Sequence, residues 1–174
     1  WWERDANQAE ALDFSRLFTF VRMANRPLDA NYARAFGMAA EPVAMMESIA
    51  GRHIPAHYDC WTGKGKSCGL FFPAKGRAIT AWWDVDTAMG AAGTTNIADR
   101  RASTNTPLPV DWLSGDPDHT ADMTMITKAF QCPALMRPYW RKLQETVDGP
   151  LNPSRCDPVI DRYYQSHLSN GLTA

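Results

Sequence analysis

A chain of 174 residues and 19.4 kDa supplies one core of ordinary size rather than two, so residues 1–174 read as a single domain. Leu, Ile, Val and Phe total 30 residues, about 17 % of the chain, a level that goes with disorder only when net charge is high; here 18 basic against 19 acidic residues leave a formal charge of -1, and 24 Ala, 8 Met and 7 Trp restore apolar volume. The balanced charge excludes nucleic acid and anionic lipid as electrostatically driven partners, and no apolar run approaches the roughly 18 residues that span a bilayer, so no direct membrane insertion is expected.

The chain begins Trp1-Trp2-Glu3 without an initiator Met, a start that removal of a signal peptide would produce. From Asp5 to Asn25, Phe14, Leu17, Phe18 and Val21 fall at i, i+3, i+4 and i+7 and predict an amphipathic helix ended by Asn25-Arg26-Pro27. Asp29 caps a second helical stretch through Tyr32, Ala35, Phe36 and Ala39, which Gly37 and Glu41-Pro42 interrupt. Pro42 then suits the first turn of a third helix carrying Val43, Met46 and Ile49, with Gly51 as its C-cap.

The middle of the chain changes character. Tyr58 to Trp61 and Ser67 to Phe72 read as two strands around the tip Gly63-Lys64-Gly65, and Arg77 to Asp86 as a third. In that third strand a period of two puts Ile79, Ala81, Trp83 and Val85 on the core face and Thr80, Trp82, Asp84 and Asp86 on the other. From about 90 to 122 the chain is a long irregular loop rich in Gly, Ala, Thr, Asn, Pro and Asp. Helices follow over Asp122 to Phe130 and Ala134 to Val147, the latter with Leu135, Tyr139, Leu143 and Val147 on one stripe and either kinked or started by Pro138. Asp157-Pro158 begins a last helix with Val159, Ile160, Tyr163, Tyr164 and His167, closed by Ser169-Asn170-Gly171.

Of the four cysteines none forms a Cys-x-x-Cys pair, which argues against a zinc ribbon, a thioredoxin-type redox pair or haem attachment. The hairpin spacing pairs Cys60 with Cys68, and the expected chain reversal at Asp148-Gly149-Pro150 pairs Cys132 with Cys156. The resulting fold class is α+β: amino-terminal helices, a small antiparallel β-hairpin sheet and carboxy-terminal helices, stapled by two disulfides in one domain. Two disulfides imply a secreted or periplasmic location.

Catalytic groups are sparse. His53 and His57 are four apart, but Pro55 between them weakens a shared metal site, and neither a metal nor a cofactor is implied. A thiol nucleophile, Cys60 with His57 or His119, conflicts with the disulfide. Asp84 and Asp86 share a strand face with Trp82, an aromatic platform suited to a sugar ring. Trp1, Trp2, Trp112 and Leu113 lie in stretches with weak secondary-structure signals, where aromatic and apolar side chains suit a protein interface. The sequence therefore reads as an extracytoplasmic binding or assembly protein, a component or accessory of a larger complex with a protein partner. The alternative is a small cell-envelope hydrolase of glycan or peptidoglycan, a glycan being its ligand and Asp84, Asp86 and His57 its acid, base and polarising groups.

Overall fold

The computed structural model describes residues 14–55, 68–73, 75–82 and 124–171. Three helices open the described chain: α1 (Ser15–Asn25), α2 (Tyr32–Ala39) and α3 (Pro42–His53). An antiparallel hairpin of β1 (Cys68–Phe71) and β2 (Ile79–Trp82) follows, then α4 (Thr124–Phe130), α5 (Pro133–Asp148) and α6 (Pro153–Ser169).

Local chemistry sets most of these boundaries. Asp29 Oδ1 accepts from the Asn31 N–H at 2.9 Å just ahead of α2, and Pro42 occupies the first turn of α3, where an N–H has no helical partner to lose. The Lys128 ammonium donates to the carbonyls of Ala24, at 3.3 Å, and Arg26, at 2.7 Å, a cation at the carboxy end of α1 where the helix dipole is negative.

The hairpin is tied down from both ends. Ala78 forms a parallel bridge with Ala40, its N–H donating to Ala39 O at 3.0 Å and its carbonyl accepting from Glu41 at 2.8 Å. Arg77 forks onto the Glu41 carboxylate at 2.6 and 2.7 Å and also donates to the Gly37 carbonyl. Arg16 donates to the carbonyls of Pro73 and Gly76 while its guanidinium lies 5.7 Å from the centre of the Phe72 ring. Gly76 turns the chain at φ 124, a conformation that side-chain-bearing residues rarely adopt.

The core is built of methionine, alanine and aromatics. Phe20 and Met23 of α1, Tyr32 and Phe36 of α2, Met45, Met46 and Ile49 of α3, Met125 and Ile126 of α4, and Leu135, Met136 and Tyr139 of α5 are all buried. Methionine adapts to irregular gaps, which is how an aliphatic-poor chain closes a core. The main packing partners are α3 with α5, α1 with α2, α3 with β2, α4 with α5 and α1 with α4; α6 is in none of these pairs.

Several expectations are corrected. The fold is mostly helical, with one two-stranded hairpin among the described residues, so the α+β class does not hold. The described chain is not stapled: Cys132 and Cys156 are free thiols. Cys132 stands at the start of α5 and Cys156 in the first turn of the next helix, so the 16-residue length of α5, about 24 Å, separates them, against a Cα separation under about 7 Å in a disulfide. Cys60 lies outside the described residues, as do the strand Tyr58 to Trp61 and the 90–122 loop.

Among the described residues β1 pairs with the strand after it, in the register Cys68↔Trp82, Gly69↔Ala81, Leu70↔Thr80 and Phe71↔Ile79. Within β2 the expected core face fails at Ala81, while Ile79 and Thr80 are both half-buried and residues 83–86 lie outside the described residues. Ala81 is exposed, whereas Ala78 and the Thr80 hydroxyl are buried, because Leu70 and Phe72 fill the inner face beside them. In α1 the core face is Phe20 and Met23, about a third of a turn from the expected stripe, which leaves Phe18 58 % exposed. Gly51 lies inside α3 rather than capping it, and α5 begins at Pro133 with Pro138 buried in its interior.

Candidate interaction surface

A binding face needs a rigid support, and α5 has one. On its inner side Tyr139 and His53 of α3 meet at 2.9 Å, from the phenol oxygen to Nδ1, and both residues are buried. Phe130 closes the group, edge-on to Tyr139 with ring centres 5.5 Å apart and tilted by 32° to His53 at 6.1 Å. Burial pushes the His53 imidazole down to about 4 and the Tyr139 phenol up, so at neutral pH this is a contact between two uncharged groups. At the rim, Arg141 donates to Glu47 of α3 at 3.1 Å, and Arg52 donates to the Ala81 carbonyl at 3.1 Å.

On its outer side α5 presents Trp140 and Val147, 51 % and 57 % exposed, which at a spacing of seven lie on one stripe. The expectation that Val147 shares the buried stripe is thereby corrected: Leu135 and Tyr139 are buried, Leu143 packs against the core, and Val147 is left out. Leu151, also exposed, extends the outer face into the turn before α6.

That turn is closed by hydrogen bonds from Leu151 N–H to Thr146 O, 2.9 Å, and from Asn152 N–H to Gly149 O, 3.2 Å. Asn152 Oδ1 accepts from the Ser154 N–H at 3.1 Å and the Ser154 hydroxyl at 2.7 Å, so α6 starts from a side-chain cap with Pro153 in its first turn. The last turn is closed locally too: Asn170 and Ser169 bond back to Ser166 O, and Gly171, at φ 78, donates to Leu168 O. Both ends of the helix are held by its own residues.

None of the seventeen residues of α6 is buried. Ile160 and Tyr163 are 57 % and 68 % exposed, and Val159, Tyr164 and Leu168 are exposed beside them on a broad apolar face. Asp157 and Asp161 run along one edge of that face, four residues apart. Five large apolar side chains exposed on an element that contributes nothing to the core of the described residues are the pattern of a contact surface.

No family model, curated protein or solved structure matches this chain. Of the residues expected from sequence to form a site, Trp1, Trp2, Trp112 and Leu113, and likewise Asp84, Asp86, His57 and Cys60, lie outside the described residues. Among the described residues, no three His, Cys, Asp or Glu side chains come together as a metal-binding set, and no helix is long and apolar enough to cross a membrane. The face on α6 is the surface that sequence reasoning missed. Its stripe is visible at Val159, Ile160, Tyr163 and Tyr164, but a stripe read from periodicity alone is assigned to the chain's own core.

Proposed function

We propose that this chain is a binding or assembly protein, a component or accessory of a larger complex, and that the apolar face of α6 is its contact surface. The observation that carries the reading is a seventeen-residue helix without a buried residue that exposes Val159, Ile160, Tyr163, Tyr164 and Leu168. A helix of this length is marginal in water on its own, and its apolar face gains stability only by docking. Tyrosine supports the same reading, since its ring supplies contact area at low entropic cost while its hydroxyl stays solvated in the free state. The reading is independent of compartment, because the free thiols of Cys132 and Cys156 remove half of the disulfide argument for a secreted or periplasmic protein.

Size-exclusion chromatography of extracts of the native source tests it, comparing the wild-type chain with Ile160→Asp/Tyr163→Asp. The expected result is a wild-type species well above 19.4 kDa and a doubly substituted chain eluting at its own mass. Identical elution of the two would contradict the reading.

A further inference from the structure

The face on α6 has a complement on the same molecule. The outer face of α5 carries the exposed Trp140 and Val147, bordered on one edge by Arg137 and Arg141, four residues apart. The face of α6 carries Ile160, Tyr163 and Tyr164, bordered on the corresponding edge by Asp157 and Asp161. When two helices lie antiparallel, corresponding edges come side by side. One register then brings Asp161 to Arg137 and Asp157 to Arg141, with Ile160 alongside Trp140. Apolar meets apolar, Asp161 meets the Arg137 guanidinium, and Asp157 joins Arg141, which also holds Glu47 at 3.1 Å and Glu145 at 3.7 Å, over helices of nearly equal length, 16 and 17 residues.

The turn between them keeps α6 off its own α5. Pro150 and Pro153 fix their own φ, the Asn152 cap fixes the start of α6, and the two turn hydrogen bonds fix residues 149–152. Gly149 sits at φ -105 and ψ -103, where an added Cβ would meet the Glu145 carbonyl oxygen at 2.6 Å. A short, conformationally fixed linker between two complementary surfaces favours exchange between molecules over closure within one. Resting on the reading of α6 as a contact surface, we propose that α6 docks antiparallel on the Trp140–Val147 face of α5 in a second copy of this chain, so that two chains exchange α6 about a two-fold axis.

Sedimentation equilibrium of the full chain at micromolar concentration and low salt tests this. The expected mass is twice 19.4 kDa. Asp161→Arg weakens the dimer roughly tenfold, because the two-fold axis repeats the lost pair, and adding Arg137→Asp restores most of the affinity. A dimer indifferent to both substitutions overturns the arrangement. A monomer at every concentration overturns the second copy, and hydrogen exchange on that monomer then separates the two readings. Fast exchange throughout α6 leaves the contact surface standing for a different protein, whereas slow exchange means that α6 is covered by its own chain and both readings fall.

Discussion

His53 and Tyr139 join α3 to α5 through a 2.9 Å hydrogen bond inside the core, with Phe130 stacked edge-on against the phenol. The bond fixes the helix whose outer face carries Trp140, and it makes stability depend on pH. Burial lowers the His53 pKa from 6.5 to about 4, so the unfolded chain takes up a proton that the folded chain refuses. The contribution is fully present above pH 6.5 and is lost as pH falls through about 4, a loss of up to roughly 3 kcal/mol. Urea unfolding between pH 7.5 and pH 4 should show that decline, and His53→Gln should flatten it. A wild-type chain equally stable at both ends of the range would contradict the assignment.

Tyr139→Phe keeps the ring packing and removes the hydroxyl, leaving Nδ1 of His53 in the core without that partner. The expected cost is about 1 to 3 kcal/mol by chemical denaturation. A change under about 0.5 kcal/mol would show that the phenol oxygen does not satisfy the imidazole.

Substitutions in the core and on α6 should separate cleanly. Phe36 is 0 % exposed and Tyr163 is 68 % exposed. Phe36→Ala should therefore cost about 3 to 5 kcal/mol, and Tyr163→Ala within about 0.5 kcal/mol of zero in the isolated chain. Equal losses would mean that α6 is part of the chain's own fold.

Much of the helical architecture is legible in the sequence because its punctuation is local. Pro42 and the Gly171 stop place helix ends through chemistry that needs no tertiary partner, whereas the residue capping α2 is Asn31 and not the expected Asp29. What the sequence does not show is which face meets the core. Leu17, Phe18, Phe20, Val21 and Met23 spread the apolar face of α1 over more than half its circumference, so periodicity cannot choose which part meets the core, and contact with Phe72 decides for Phe20. The four-residue strand β2 has the same ambiguity, resolved by Leu70 and Phe72 on the inner side. The α6 face is hidden for a related reason: its apolar pattern is ordinary, and only the fold shows that these side chains stay exposed among the described residues. The disulfide expectation fails at Cys132 and Cys156 because it assumed that the chain folds back on itself after Gly149.

The direction of α6 depends on Gly149. Since a Cβ there would meet the Glu145 carbonyl oxygen at 2.6 Å, Gly149→Ala must shift backbone, and a cost of about 1 to 3 kcal/mol is expected. The same variant should alter the association state, because it redirects the linker. Unchanged stability and unchanged association would show that the turn at Gly149 does not set the direction of α6.

The central claim is that the apolar face of α6 serves contact with a partner and not the fold of its own chain. The most direct measurement is calorimetry and light scattering on the same preparations of wild type and Ile160→Asp/Tyr163→Asp, each dilute enough to be monomeric for calorimetry and concentrated for scattering. The dilute variant should melt within about 2 °C of wild type, because neither side chain lies in the core, and should lose the associated species. A drop of about 8 °C or more in the dilute variant, equivalent to several kcal/mol, would place Ile160 and Tyr163 in the chain's own core and contradict the claim.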